Sequence, residues 1–195
     1  MGSYNRKSIR RKVVKSKAFS KSARKKVVHN VERAKRQMLD EFDNHPVTKE
    51  IAQGESSSNI SRTLSGYGNL FTFLGFSQGS SPVSAVRGAL SILPRVKNSK
   101  PRRDSILFTI SVPLTKDFRN VAQLPWESGR NWVEGIEFGI SGFSYYMSNL
   151  FGKVDKSRSG TAIQTEHPMR AGMFHRRPYM TTILNKFINR VSKRI

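Results

Sequence analysis

Residues 125–165 read PWESGRNWVEGIEFGISGFSYYMSNLFGKVDKSRSGTAIQT, a segment that holds both tryptophans of the chain and three closely spaced glycines at its centre. Apolar residues recur there at steps of three and four from Val133 to Leu150, which is the spacing of one helix face. The pattern predicts a core helix over residues 131–141. Residues 143–151 also alternate in a way that suits a strand, so both possibilities stay open for them.

The predicted helix has a capping residue and acids in its first turns. Asn131 can accept a hydrogen bond from the backbone of the first turn. Glu134 and Glu137 follow it, and we place both near the helix start, where the dipole favours negative charge. The glycines at 135, 139 and 142 indicate close approach to a neighbouring element or a break near residue 142.

Catalytic chemistry is not apparent in this segment, which carries no nucleophile, no metal-ligand cluster and no acid pair. The enzyme class that we considered is a metal-dependent nuclease, which would use His29, His45, His167 and His175. Such enzymes need histidines and carboxylates that converge on one site. Asp43 beside His45 is only adjacency in sequence, as is Glu166 beside His167. We therefore expect no enzyme, no metal and no cofactor.

The charge balance limits the function more than any single motif does. The 195 residues include 35 Lys and Arg against 13 Asp and Glu, which gives a net charge of +22. Such an excess needs nucleic acid, an acidic protein or an anionic surface as its counterpart. Cysteine is absent, which excludes a disulfide framework, and no apolar run approaches the roughly 20 residues that cross a bilayer. We expect no membrane partner.

The positive charge is concentrated in three places. Residues 1–36 hold 14 basic residues and one acid, residues 170–195 hold seven and no acid, and residues 95–103 form a basic segment that we interpret as a loop. The first 18 or so residues should be disordered in isolation because like charges repel. The predicted division is a basic arm at 1–19, an assembly domain at 20–178 and a basic helix at 179–195. The expected polyanion contacts are Lys7, Arg10, Arg11, Lys12, Lys15, Lys25, Lys26, Arg102 and Arg103.

A long amphipathic helix is predicted from Ser20 or Ser22 to about Asp43. One face is apolar from Ala23 to Phe42, and the other is rich in lysine and arginine. Its first half is basic and its end is acidic, which opposes the helix dipole. We therefore expect the helix to depend on tertiary or partner contacts.

The remaining elements predict an α+β fold, a small β-sheet flanked by helices. Short helices are predicted at 46–51 and 82–93, each opened by a proline, and a last helix at 179–194. Residues 105–112 alternate as a strand, and 159–165 form a second candidate strand. The order of elements lacks the βαβ repeat of a parallel sheet.

Aromatic residues mark the expected packing contacts. Residues 64–82 combine dense aromatics with glycines that prevent a long regular element, so we predict a buried irregular segment that packs on the sheet or on a neighbouring subunit. The residues chosen as packing or assembly anchors are Phe71, Phe73, Trp126, Trp132, Tyr145 and Tyr146.

Four motifs in this order resemble a known family: FDNHPVTKEI, SRTLSGYGNLFTFLGF, PWESGRNWVEGIEFGISGFSYYM and SRSGTAIQT, over roughly residues 40–165. They are similar to neck or tail-completion proteins of tailed bacteriophages, which include tail terminators and head-tail connectors. The resemblance implies an oligomeric ring in the virion, made in the bacterial cytoplasm, that joins the head to the tail. Its implied partners are the portal or connector, the tail tube or sheath, and packaged DNA. It supplies no catalytic residues.

A second class stays open, a non-catalytic nucleic-acid-binding protein of ribosomal or nucleoid type. The high net charge and basic ends are typical of that class. The sequence carries no RNA-binding signature, however, and its aromatics lie in apolar or glycine-rich runs apart from the basic patches. These two observations favour the structural virion protein.

Overall fold

The computed structural model describes residues 6–64, 68–125, 127–138, 146–147, 163–164 and 174–192. Within these ranges the chain has seven α-helices and three two-stranded antiparallel pairs, which confirms the predicted α+β class. The helices are α1 (Arg6–Lys15), α2 (Lys17–Asn44), α3 (Pro46–Ala52), α4 (Leu70–Phe73), α5 (Pro82–Ile92), α6 (Trp132–Phe138) and α7 (Met180–Ser192). The strands are β1 (Arg95–Pro101), β2 (Ile106–Ser111), β3 (Gln123–Leu124), β4 (Glu127–Asn131), β5 (Tyr146–Met147) and β6 (Ile163–Gln164).

Within the predicted basic arm at 1–19, residues 6–19 are helical except for Ser16, whereas the first 18 or so residues were expected to be disordered in isolation. Residues 6–15 form α1, and the long helix α2 begins at Lys17 instead of near Ser20 or Ser22. Ser16 separates the two helices and caps α2, since its hydroxyl accepts a hydrogen bond from the backbone N–H of Phe19 at 3.2 Å. The arm prediction considered charge repulsion alone and overlooked the apolar residues of α1, of which Val14 is buried.

Helix α2 carries the core on one face and ends at Asn44, close to the predicted boundary. Its buried residues are Val27, Val31, Ala34, Met38 and Phe42, which follow the predicted stripe. Basic residues of other helices meet its acidic end: Arg87 of α5 binds Asp43 through two nitrogens at 2.9–3.0 Å, and Arg190 of α7 pairs with Glu41. Tertiary contacts thus supply the cations that the α2 sequence lacks at its C-terminus.

The aromatic segment after residue 68 is short and buried, as predicted. Its one-turn helix α4 ends in a Schellman motif: the N–H of Phe76 bonds the carbonyl of Phe71 at 3.2 Å, and the N–H of Gly75 bonds that of Thr72 at 3.0 Å. Gly75 has a φ of +76°, a conformation that glycine adopts without strain. The rings of Phe71 and Phe76 pack 5.6 Å apart across the motif.

Strand β2 lies inside the predicted strand 105–112, but the predicted basic loop at 95–103 is wrong. Residues 95–101 are strand β1, which pairs antiparallel with β2 from Arg95 opposite Ser111 to Pro101 opposite Ile106. All of β1 except Val96 is exposed, so no alternating pattern marked it in the sequence. For residues 143–151, where both helix and strand stayed open, the structure describes residues 146–147 as strand β5. This strand pairs with β6, which lies within the second predicted strand at 159–165.

The core closes around α6 and the start of α7. Asn131 caps α6, since its side-chain oxygen accepts the N–H of Glu134 at 2.6 Å as predicted. Residues 139–141 of the predicted helix lie outside the described residues. Tyr179, fully buried, packs between Phe42 and Trp132 with ring centroids 6.0 and 6.3 Å away. Its hydroxyl lies 2.6 Å from the Thr48 hydroxyl, which ties α7 to α3.

Candidate polyanion-binding surface

Ten exposed cations lie on α1 and the first ten residues of α2, and we name them the N-terminal cationic surface. They are Arg6, Lys7, Arg10, Lys12, Lys15, Lys17, Lys21, Arg24, Lys25 and Lys26. No aspartate or glutamate occurs between residues 6 and 31, so this surface has no acid of its own. Its field is therefore uniformly positive and suited to an external anion.

The β1–β2 hairpin brings a second basic cluster beside this surface. Its turn contains Arg102 and Arg103 and is closed by a 2.7 Å bond from the N–H of Arg102 to the carbonyl of Ser105. Asp104, at the tip of this turn, lies 3.8 Å from the guanidinium of Arg11 on α1. Clusters separated by some 90 residues in the sequence therefore lie next to each other in space.

A groove runs between α1, the start of α2, strand β2 and the end of α7, and we name it the N-terminal groove. Its volume is about 1240 Å³. Cations line it from three elements, namely Arg6 and Arg10 on α1, Lys26 on α2 and Arg102 at the hairpin turn. Val191 and Ser192 of α7 complete the wall, so the C-terminal helix also reaches this end of the molecule.

The predicted polyanion contacts divide between the groove and the open surface. Arg10, Lys26 and Arg102 line the groove, and Arg11 is half-buried beside Asp104. The others are exposed outside the groove lining: Lys7, Lys12, Lys15, Lys25 and Arg103. On α1, the steps of three and four residues put Lys12 and Lys15 together with Ser8 on one side, which we name the open side of α1 and which lies about 110° around the helix from Ile9 and Val13.

Three of the six aromatic anchors lie in the interior of this chain. Phe71, Phe73 and Trp132 are buried, and Trp132 meets Phe76 edge to face at 6.2 Å. Of the other anchors, Tyr146 is described only as part of strand β5, whereas Trp126 and Tyr145 lie outside the described residues. Phe71, Phe73 and Trp132 thus pack within the chain and contribute no surface to a partner.

The histidines and acids considered for an enzyme are not assembled into a site where they are described. Asp43 is held by Arg87, whereas His45 caps α3 through a 3.3 Å bond from the N–H of Val47 to Nδ1. Burial lowers the pKa of His45, and the nearby Lys186 adds to that effect. His167 and Glu166 lie outside the described residues. No group of three metal-ligating side chains occurs among the residues that the structure describes.

Two buried carboxylates organise the core in a way that the sequence did not predict. Glu137 lies at the end of α6, contrary to the predicted place near the helix start, and accepts bonds from the N–H of Tyr179 at 2.9 Å and of Thr181 at 2.6 Å. The Thr181 hydroxyl donates a third bond at 2.6 Å, so this carboxylate caps α7. Glu50 of α3 accepts the N–H of Ser61 and of Leu70, each at 2.7 Å. Their sequence neighbours give no signal of either role.

The groove also exposes large apolar residues that sequence reasoning missed. Ile9, Val13, Phe19 and Leu107 line it, and their exposed fractions lie between 40% and 47%. The step of four from Ile9 to Val13 was the available signal, since it marks an apolar side on a helix.

Comparison of the chain with protein-family models, with curated proteins and with solved structures gave no match. Among the described helices, none is both long enough and apolar enough to cross a membrane.

Proposed function

We propose that this chain is a structural virion protein of a tailed bacteriophage, one that forms a ring in the neck and joins the head to the tail. The resemblance of the four motifs over residues 40–165 supports the placement in the neck. In that role the N-terminal cationic surface binds a polyanion, with packaged DNA as the expected ligand.

The observation that carries the proposal is the gathering of like charge on one end of a compact fold. The exposed cations of α1 and α2 lie beside the turn that holds Arg102 and Arg103. Binding to phosphates by such a surface does not depend on base sequence, because lysine and arginine neutralise the backbone. A protein that contacts DNA in passage, whatever its sequence, needs this kind of binding.

DNA binding is tested with a labelled duplex of about 30 base pairs at several salt concentrations. The test variant is Lys12→Glu with Lys15→Glu, on the open side of α1. The matched control is Lys116→Glu with Arg119→Glu, which replaces two exposed cations near residue 118. Both pairs change the net charge equally. The first pair should weaken binding and reduce the slope of log K against log salt by about 2, since each phosphate contact contributes about 0.9.

Equal weakening by the two pairs would mean that total charge alone drives binding, and the surface would then have no special role. Two duplexes of unrelated sequence should bind alike. A preference of more than about tenfold for one of them would contradict backbone recognition.

The neck placement is tested separately by the copy number and symmetry of this chain in its native particle. A closed ring of identical copies around a DNA channel is the expected result. A single copy threaded among RNA helices would overturn the placement and support the ribosomal class.

A further inference from the structure

We propose that the N-terminal groove is a docking site for an acidic, amphipathic helical segment of another protein. The inference goes beyond DNA contact, because it rests on the apolar floor of the groove and not on its charge alone. It holds whether or not the chain lies in a phage neck.

Four exposed apolar side chains line the groove, and we call them its apolar floor. Ile9 and Val13 come from α1, Phe19 from α2 and Leu107 from β2. Exposed apolar residues that gather around one groove and are bordered by polar ones mark interaction surfaces. The volume of about 1240 Å³ exceeds the roughly 300–1,000 Å³ of small-molecule pockets, which favours a chain segment as the occupant.

The charges around this floor determine the sign of the partner. Among the described residues, the groove is lined by Arg6, Arg10, Lys26 and Arg102 and by a single carboxylate, that of Asp104, which already has Arg11 beside it. An occupant must therefore bring its own acids to meet the cations and its own apolar residues to cover the floor. An amphipathic helix with an apolar side bordered by Asp or Glu meets both requirements.

Two other occupants fit the groove less well. A second copy of this chain carries a charge of +22, and the acids Glu41 and Asp43 of α2 already pair with Arg190 and Arg87 of the same chain. A nucleic acid backbone would meet the cations but would place phosphates over Ile9, Val13 and Leu107, where no apolar group covers the floor. DNA is better accommodated by the open side of α1.

The test uses two labelled synthetic peptides of about 16 residues, because isolated helices shorter than about 12–15 residues are only marginally stable in water. The first has leucines at steps of three and four with glutamates elsewhere, and the second has serine in place of every leucine at the same charge. The first peptide should bind at least about tenfold more tightly, because only it covers the apolar floor.

Leu107→Ser should remove most of that difference, and Arg102→Glu should weaken both peptides. The matched control is Ile92→Ser, a substitution of an exposed aliphatic residue at the end of α5 and outside the groove lining, which should leave binding unchanged. Leu107 lies on the exposed side of β2, so the variant should fold, and a thermal melt by circular dichroism verifies this. Duplex DNA should bind Leu107→Ser as tightly as it binds the unchanged chain.

Equal binding of the two peptides would overturn the proposal, since charge alone would then account for it. Loss of DNA affinity in Leu107→Ser as large as the loss of peptide affinity would also overturn it and would assign the groove to nucleic acid. Neither result would affect the DNA contacts tested by Lys12→Glu with Lys15→Glu, so the two proposals can fail independently.

Discussion

The core around Tyr179 and the N-terminal cationic surface use charge in opposite ways. In the core, Glu50 and Glu137 are buried, and each accepts hydrogen bonds from two backbone N–H groups of the same chain. On α1 and the start of α2, ten exposed cations occupy a stretch with no acid between residues 6 and 31. Charge in the first region is satisfied by hydrogen bonds within the fold, whereas charge in the second is exposed at the surface.

Substitutions in the core should therefore affect folding, and substitutions on the N-terminal cationic surface should affect binding. A buried acceptor that is removed leaves its donors without partners in a dry interior, which is costly. An exposed lysine that is removed loses only weak, screened interactions, and here it also loses repulsion from its neighbours. Stability measurements on matched variants of the two regions therefore test whether buried acceptors stabilise the fold more than exposed lysines do.

The largest effect on stability is expected from Glu137→Leu. The N–H groups of Tyr179 and Thr181 and the Thr181 hydroxyl would lose their common acceptor. Each buried unsatisfied group costs about 1–3 kcal/mol, so the free energy of unfolding should fall by about 3 kcal/mol or more. Urea denaturation measures this change.

The control is Glu134→Leu, on the same helix but only half-buried. Its cost should stay below about 1 kcal/mol, because it removes only a favourable interaction with the helix dipole. If the two variants lose the same stability, the cap on α7 is not what Glu137 contributes.

An intermediate effect is expected from Tyr179→Phe, which removes the 2.6 Å hydrogen bond to Thr48. The free energy of unfolding should fall by about 1–2 kcal/mol near neutral pH. Burial raises the pKa of the Tyr179 hydroxyl above the value of about 10 in the unfolded chain. The stability from the protonated hydroxyl is therefore fully present below about pH 10 and declines as the pH rises further.

The measurement is urea denaturation of both chains from pH 8 to pH 11, a range chosen to span a tyrosine pKa of about 10. The difference between the unchanged chain and Tyr179→Phe should narrow above about pH 10, because the variant has no hydroxyl to ionise at this position. A difference that stays constant over this range would mean that the Tyr179 hydroxyl does not titrate differently in the two states.

The smallest effect is expected from Lys21→Gln with Lys25→Gln, both exposed on α2. Because these side chains repel their basic neighbours, the melting temperature should stay the same or rise slightly at low salt. In high salt the variant and the unchanged chain should melt together, since screening removes the repulsion. A clear fall in melting temperature at low salt would show that these lysines stabilise the fold, and would contradict the expected repulsion among the surface cations.

Local patterns predicted much of the fold because the relevant interactions are local. Helix α5 follows from Pro82 and its apolar stripe, strand β2 from strict alternation, and the cap at Asn131 from its hydrogen bond three residues on. The capacity of Ser16 to cap α2 was equally local, but the prediction chose Ser20 or Ser22 as the cap and so placed the helix start too late. Helix α1 was missed because only charge repulsion was considered for the first 18 or so residues, although Ile9 and Val13 already had helical spacing.

Other features could not be predicted because their signal comes from distant residues. Strand β1 is almost fully exposed and basic, so only its hydrogen-bonded partner β2 identifies it as a strand. Glu137 was expected to act on its own helix, yet it caps a helix that begins more than 40 residues later.

The charge of +22, its concentration at residues 1–36 and 95–103, the absence of cysteine and the α+β class all follow from the order and composition of the residues. The position of the hairpin turn at Arg102 beside α1 and the completion of the groove by the end of α7 depend on tertiary packing. The contact of Thr48 with Tyr179, 131 residues away, depends on it as well. Composition and periodicity are properties of neighbouring residues, whereas burial and the choice of partners depend on how distant segments pack.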